Sequence, residues 1–543
     1  MKIIYLLAAF FCLLSWLLPN HYQPWLSVYQ DSSMFTVALL LACSLLIQKN
    51  IQVPFILIFF IFFSFIPLIQ YYLGIIYFFG EAITFFFYLL ALTTVFTIGF
   101  NIAQLEKLKR DKVINGFSIV LLIASVISVW IQLRQWLLFD GNIWTVDMPP
   151  NGRPFANMAQ PNQLSTLLTM GLISIIYLFE KKFLHTISAS FTAGFLLFGV
   201  GLTQSRTTWV FAICFLIWWF IKRETPTRLT MRYLVIWCFL FLAIWIYLPH
   251  ISNSLGVTSV RGIAERATTG LDRLAMWQQI IILLKDAPFF GYGWGQLNVA
   301  QLSNNSDMIA NPLFGYSHNL FLDILVWNGL GLGLILITSM ILFLFHLAKS
   351  LDDRESIVLF AMIGAVFVHS MFEYPFAYAY FLLPVGFLFG FLYSNQSIKF
   401  FSIQKKWCAV YLFSCSFLII FYLKDYKEVE YEYELMRYEN VQLRYINTEG
   451  SKKKINLLDS LLEYIWFVRQ PLDMKITEFD LDRVRKVVYR YPDRPVLYKY
   501  IQILYLNNKP EEAKKMLKLF NAFYDEQLTK KKVQILLQQQ MSN

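Results

Sequence analysis

The sequence predicts an all-α, polytopic membrane bundle of about 12–13 transmembrane helices, with a large loop on one face and a soluble helical domain at its C-terminal end. Three observations predict it. Hydrophobic residues fill 57% of the 543 positions and charged residues only 15%, where a soluble domain carries about 25% charged residues. The missing charge is uneven: of 46 Lys and Arg, 24 lie in residues 1–423 and 22 in residues 424–543. Apolar runs approaching the roughly 20 residues that cross a bilayer as helix recur along the first four-fifths of the chain. Together these exclude a water-soluble enzyme for residues 1–423, and the apolar content excludes intrinsic disorder. The net charge of +11 does not mark a nucleic-acid binder, because no basic patch with interleaved aromatics stands apart from the loops.

The spans follow in order. The first covers about 3–18. Lys2 precedes it, but it ends in bulky Ser15-Trp16-Leu17-Leu18-Pro19 without a small-residue cleavage site, so it reads as an uncleaved span rather than a signal peptide. Further spans are expected at about 34–48, 53–69, 82–100, 116–137, 163–179, 186–203, 207–221, 233–249, 320–346, 356–370, 376–394 and 407–423. The count falls to twelve if 34–48 is interfacial. Alternate loops carry sixteen Lys and Arg, from Lys49 to Lys406, while the intervening short loops hold only Arg153 and Arg206. The positive-inside rule then places the N-terminus in the cytoplasm, and the 250–319 loop and residues 424–543 outside, which is the periplasm of a Gram-negative cell.

Residues 424–543 form a separate α-helical region. They open with a charged helix over 424–444. Leu481, Val484 and Val488 then recur at helical spacing, followed by Leu497, Ile501 and Leu504. Pro510-Glu511-Glu512 opens the next helix, with Pro at its first position and acids in its first turn. The two helix starts lie about 33 residues apart, near the tetratricopeptide period. Two units do not define a repeat, and a small helical domain is the plainer reading. The six cysteines all lie in apolar runs, so no disulfide framework or cysteine metal site is implied.

Polar residues gather on the outer side. His21, His250, His318 and His369 fall there, with Asp31, Glu81 and Glu373. Ionisable groups at membrane depth are costly and usually functional. Arg206, in the turn 201–207, reads either as an anchor reaching to the interface or as an anion-binding group. Arg261, Arg266 and Arg273 make the long loop basic, which suits a diphosphate or an anionic lipid headgroup. Gly291, Gly293 and Gly295 superficially suggest a phosphate loop, but no strand precedes them and no Lys-Ser/Thr follows. A tight loop against the membrane surface is the bland reading. His318 meets the start of a helix, where the neutral ring is favoured and can take a proton, although a lone His is more often structural. His369 and Glu373 share one short turn. Gln160, Asn162 and Gln163 at a helix start suit sugar hydroxyls equally well as helix capping.

Several segments in order carry a family resemblance: Pro19-Asn20-His21-Tyr22-Gln23-Pro24-Trp25, Ile66-Pro67-Leu68-Ile69-Gln70, Arg153-Pro154-Phe155-Ala156-Asn157 through Gln160-Pro161-Asn162-Gln163-Leu164, Thr203-Gln204-Ser205-Arg206, Pro288 with Gly291 to Gln296, Ser317-His318-Asn319, and His369-Ser370 with Glu373-Tyr374-Pro375. Together they resemble the PglL-type protein O-oligosaccharyltransferases, bacterial members of the O-antigen ligase and polymerase superfamily. The first-loop segment departs from that pattern at Gln30-Asp31, where a Ser-Glu pair is expected.

The resemblance implies a bundle of the GT-C-like glycosyltransferase type. It implies a glycan donor on undecaprenyl diphosphate and a Ser or Thr acceptor on a protein such as pilin. The site would face the periplasm of the inner membrane. His318 is then the candidate base, and Arg206 and Arg273 are the candidates for stabilising the departing diphosphate. Gln160, Asn162, Gln204, Asn319, His369, Glu373, Tyr374 and His21 are candidate substrate contacts. No cofactor or metal is expected, since the outer loops hold no DxD-like acidic pair. The sibling reading is an O-antigen ligase or polysaccharide polymerase with a sugar acceptor. A lipid-linked glycan transporter is the distant one, since it calls for mid-membrane charges or broken helices in paired halves.

Overall fold

The computed structural model describes residues 2–139, 141–149, 152–257, 271–303, 313–394, 398–441, 455–475 and 477–542. Arg261 and Arg266 lie outside the described residues. In chain order the helices are α1 (Lys2–Leu17), α2 (Val28–Leu45), α3 (Ile56–Ser64), α4 (Ile66–Tyr72), α5 (Phe79–Ala103), α6 (Lys107–Trp136), α7 (Pro161–Glu180), α8 (Thr186–Thr203), α9 (Thr207–Ile221) and α10 (Met231–Leu255). They continue as α11 (Leu271–Lys285), α12 (Leu297–Ser303), α13 (Leu320–Lys349), α14 (Arg354–Ser370), α15 (Ala379–Tyr393) and α16 (Lys405–Asn440). The last five are α17 (Asp459–Arg469), α18 (Glu478–Arg490), α19 (Arg494–Leu506), α20 (Pro510–Tyr524) and α21 (Lys530–Ser542).

Eight of these helices, α2, α5, α6, α7, α8, α10, α13 and α16, are long and apolar enough to cross a membrane. Shorter apolar helices cover α1, α3 with α4, α9 and α15. Each expected span thus overlaps helix, α14 included, and the multi-pass helical class is what the structure shows. The segment expected as one span over 53–69 is different. It begins as a strand, β1 (Asn50–Pro54), paired antiparallel with β2 (Phe400–Gln404), with Ile51 opposite Ile403. Its helix then breaks at Phe65, because Pro67 in the first turn of α4 has no N–H to continue the ladder.

The chain forms two compact units. The first comprises Met1–Phe63, Tyr88–Gly270 and Met340–Ile419. Its centre is α7, whose residues from Gln163 to Phe179 are buried with the single exception of Leu172. Helices α6, α8, α9 and α14 pack around it. In a soluble protein such an all-round apolar helix would mark a deep core, and here it has the same meaning.

The second unit comprises Ser64–Phe87, Leu271–Ser339 and Ile420–Asn543. The C-terminal helices share one core with earlier segments: Phe78, Val299 and Leu302 join Phe467, Val484, Leu497, Ile501 and Phe520. Polar contacts reinforce it. Asp459 accepts the Phe79 and Gly80 amides at 3.0 and 2.9 Å, filling the N-cap role that α5 lacks in its own sequence. Glu81, buried, pairs with Arg490 and accepts from the Tyr491 hydroxyl. Helices α18 and α20 start at residues 478 and 510, 32 apart (510 − 478), and α19 packs against α18, α20 and α21.

Helix α13 is interrupted at Gly329, at φ 73° and ψ 170°. The carbonyls thereby freed are taken up from outside the helix. Tyr292 and Gly293 amides donate to Val326 and Trp327 oxygens at 2.8 and 3.2 Å, and Gln70 Nε2 donates to Trp327 O at 2.8 Å. A side chain at Gly329 has no room: its Cβ would lie 2.2 Å from Phe289 O. Gly329→Ala is therefore expected to destabilise the protein by at least about 2 kcal/mol, through both the left-handed φ and the clash. Gly364→Ala is the control, because a Cβ there meets nothing within 4 Å and a helical Ala is favoured over Gly by about 1 kcal/mol. Thermal melts in detergent should separate the two. Equal midpoints would refute the constraint at Gly329.

Candidate functional site

In the first unit, the sequence around the start of α7 builds a buried polar cluster. Pro161 at the first helical position presets the helix, and Gln160 before it is extended, at φ −146°. Asn162 Nδ2 donates to Glu373 Oε1 at 2.9 Å, and Gln160 Nε2 reaches Oε2 at 3.5 Å. One turn further on, the Thr166 hydroxyl bonds His369 Nδ1 at 2.7 Å. His369 closes α14, and the Glu373 amide donates to its carbonyl, so the four-residue spacing places ring and carboxylate one turn apart against α7. His369 is fully buried and Glu373 is 4% exposed. Beside them, Tyr374, Tyr378 and Tyr380 stack in a ladder with centroids 6.1 and 5.2 Å apart, and the Tyr380 hydroxyl donates to Gln163 Oε1 at 2.6 Å. Burial, then the Glu373 charge, push the Tyr374 hydroxyl above its usual value.

The loop preceding α7 is held by amide side chains. Gln135 Oε1 accepts the Phe155 and Ala156 amides at 3.0 and 2.7 Å, and Gln132 Nε2 donates to Pro154 O at 3.3 Å and to Gly199 O of α8 at 3.0 Å. Asn157 Nδ2 donates to the Leu17 and Trp144 carbonyls. Ala156 and Ala159 both hold a left-handed φ, at 53° and 56°. His21 Nε2 donates to Asn157 O at 2.7 Å. Burial holds its ring below the usual imidazole value, with the Asn157 and Leu26 carbonyls acting the other way. The Asn157 bond ties the ring to the backbone of the 153–159 loop. Asp31 is likewise buried in the frame: Oδ2 accepts from Ser27 Oγ at 2.6 Å and Oδ1 from the Ala379 amide at 2.7 Å.

The turn between α8 and α9 presents Arg206. Gln204 is left-handed at φ 51° and closes α8. Gln204 and Ser205 are buried while Arg206 is exposed. Arg153 Nη1 donates to Thr203 O at 3.2 Å, bringing a second guanidinium to the same turn. The Ser165 and Thr208 hydroxyls bond each other and tie α7 to α9.

In the second unit, His318 sits at the end of the loop before α13, half-buried and left-handed at φ 56°. Its neighbours are tied on both sides. The Ser317 amide donates to Asp323 Oδ1 at 2.8 Å, and Ser317 Oγ donates to Asn319 O at 2.7 Å. Asn319 Oδ1 caps α13, accepting the Phe321 and Leu322 amides at 3.0 and 3.2 Å. Trp277 Nε1 donates to Ser317 O at 3.0 Å. Arg273 lies four residues before Trp277 on α11 and so shares the helix face that meets this loop.

Of the residues expected from sequence, Gln160, Asn162, His369 and Glu373 meet directly, and Tyr374 adjoins them. Gln204 lies buried under the Arg206 turn, His21 supports the 153–159 loop, and His318, Asn319 and Arg273 belong to the second unit. Thr166, Tyr380, Arg153 and Asp323 complete these groups. Thr166 was visible four residues after Asn162, and Asp323 as an acid in the first turn after the cap. Among the described residues no group of three or more His, Cys, Asp or Glu is placed to hold a metal ion.

Comparison with known proteins agrees along the whole chain. Residues 357–537 match the family described as virulence factor membrane-bound polymerase, C-terminal, residues 191–338 match O-antigen ligase, and residues 154–179 match protein glycosylation ligase. The chain is 30% identical over 537 residues to the general O-oligosaccharyltransferase of Acinetobacter baylyi, covering 96% of this chain and 93% of that protein. It is 29% identical over 536 residues to the ComP-specific O-oligosaccharyltransferase of the same organism, covering 96% of each.

Removing the Glu373 carboxylate strands the Gln160 and Asn162 amides. Glu373→Ala is expected to cost about 1–3 kcal/mol of stability, and Glu373→Gln less, because an amide oxygen still accepts. Unchanged melting of Glu373→Ala in detergent would show that this network is not formed.

Proposed function

The chain belongs to the O-oligosaccharyltransferases, and on that footing we propose that it transfers a preassembled glycan from undecaprenyl diphosphate to Ser or Thr of exported proteins such as pilin, at the periplasmic face of the inner membrane. It is a multi-pass membrane glycosyltransferase of O-linked protein glycosylation, using a lipid-linked glycan donor and a protein acceptor. The observation that carries this reading is the similarity to two O-oligosaccharyltransferases over 96% of the chain. The match of residues 191–338 to O-antigen ligase favours, as the second reading, the same donor chemistry with a sugar acceptor.

The chemistry follows from the substrates. The acceptor oxygen attacks the anomeric carbon, the bond from that carbon to the diphosphate oxygen breaks, and the diphosphate leaves with the electron pair. Direct attack inverts the anomeric configuration. The leaving group is already good, so the enzyme's task is to stabilise charge growing on it. Arg206 and Arg273 suit that task, being permanently charged and able to bind phosphate oxygens bidentately. His318 takes the acceptor proton. Gln160, Asn162, Glu373 and Tyr374 offer the amide, carboxylate and ring chemistry that sugar hydroxyls and faces need, supported by His369. Gln204 sets the turn of Arg206, Asn319 caps the helix behind His318, and His21 holds the loop before α7. The tail 424–543 serves acceptor recognition or stability rather than bond-making.

His318→Ala should lower transfer about 10²–10⁴-fold while donor binding persists. Arg206→Ala and Arg273→Ala should weaken donor binding and rate together, and Lys at either position should restore only part, having charge without the bidentate fork. Transfer should survive EDTA. Near-normal transfer by His318→Ala, or loss of transfer on chelation, would overturn these roles. In cells, deleting the chain should strip glycan from Ser and Thr of pilus and other exported proteins. Loss from lipopolysaccharide alone would favour the sugar-acceptor reading.

A further inference from the structure

We propose that Asp323 is a positioning residue for the transfer reaction, acting through the backbone that carries His318. This rests on the reading of His318 as the acceptor-side base. Asp323 lies in the first turn of α13 and is completely buried. Its Oδ1 accepts the amide of Ser317, the residue immediately before His318, at 2.8 Å. That bond reaches across six positions of the chain and ties the loop back onto the helix. His318 within that loop is left-handed at φ 56°, a conformation that is strained for a non-glycine residue and persists only where its surroundings over-determine it.

The surroundings here do so. Ser317 is held at its amide by Asp323, at its carbonyl by Trp277, and at its hydroxyl by Asn319. Asn319 on the other side is fixed by the Ser317 hydroxyl and by its own capping bonds. Two of these ties, from Asp323 and from Trp277, are ones that a helix cap alone would not require, and only Asp323 makes its tie from within α13 itself. Its second oxygen, Oδ2, is buried and has no hydrogen-bond partner among the described residues. An orphaned buried acceptor is destabilising, so the carboxylate is a poor choice for stability by itself. Its contribution is the fixed direction of the peptide from which the imidazole projects. Catalytic groups need placement to within about 0.5 Å, which second-layer hydrogen bonds supply.

The test uses the full-length enzyme in lipid vesicles, with a polyprenyl-diphosphate glycan and an acceptor protein. Asp323→Asn keeps an acceptor oxygen at the same distance and removes the charge. Asp323→Glu keeps the charge and displaces the oxygen by one methylene. Positioning predicts that Asn retains kcat within about fivefold, with a pH–rate profile superimposable on the wild type. It predicts that Glu loses at least about thirtyfold in kcat, while the donor KM of both stays within about twofold. If Glu is as active as wild type, the geometry of this bond does not matter and the proposal fails. It fails too if Asn is as inactive as Glu, since the charge is then what counts, or if donor KM rises together with the loss of kcat, since the effect is then general damage. His318→Ala separates the layers. Full activity of that variant removes the base reading itself, whereas an inactive His318→Ala beside a fully active Asp323→Glu removes only the role of Asp323.

Discussion

A helix broken inside a membrane protein leaves carbonyls that no lipid can satisfy, and the protein must supply their partners. The interruption of α13 at Gly329 is the constraint on which the second unit depends. Val326 and Trp327 lose the amides that an unbroken helix would bring them. The loop 288–296 supplies two amides in their place, and Gln70 supplies a third donor. The same loop is fixed in turn, since Trp294 N donates to Gln70 Oε1 at 3.2 Å and Trp294 Nε1 to Asn328 Oδ1 at 3.0 Å. Gly291 belongs to this arrangement, because a Cβ there would lie 2.4 Å from Gly329 N. The short helical segment that remains, from Leu320 to Asn328, is the one headed by His318 and holding Asp323. Rigidity at the break is rigidity at the imidazole.

The first unit uses the same principle with side-chain amides. Residues 154–158 are buried and hold only one short 3-10 turn, so their backbone groups need partners that secondary structure does not provide. Gln132 and Gln135 on α6 give four of them, at Pro154, Phe155 and Ala156, His21 gives another at Asn157 O, and the Asn157 side chain ties the loop to α1. Left-handed Ala156 and Ala159 show that this loop is held in shape by its partners and not by local preference. What it delivers is the start of α7, where Gln160 and Asn162 meet Glu373.

Much of this was legible in the sequence. Apolar runs located the eight helices long enough to cross a membrane, and the four-residue spacing of His369 and Glu373 announced a shared turn. The motif order carried the family before any coordinates. Other features were hidden for physical reasons. The strand pair 50–54 with 400–404 joins segments 350 residues apart (400 − 50) and lies in apolar sequence that reads equally as helix. Glycines 291, 293 and 295 suggest no more than a tight loop locally, because nothing nearby in sequence reveals that Gly291 and Gly293 meet a broken helix more than thirty residues on. His21, a candidate substrate contact, and Asp31 are tied into the frame, which only long-range hydrogen bonds disclose. The shared core of Phe78 with the C-terminal helices was equally invisible, since a tail rich in charge reads as separate from the bundle.

The enzyme's identity as a protein O-glycosyltransferase is tested most directly with purified chain in lipid vesicles. A polyprenyl-diphosphate glycan is added with an exported protein and a free saccharide acceptor in the same reaction, and products are read by intact-mass and fragment-ion spectrometry. The expected result is one glycan mass on a Ser or Thr of the protein, with stoichiometric release of polyprenyl diphosphate. Glycan appearing only on the saccharide would contradict it.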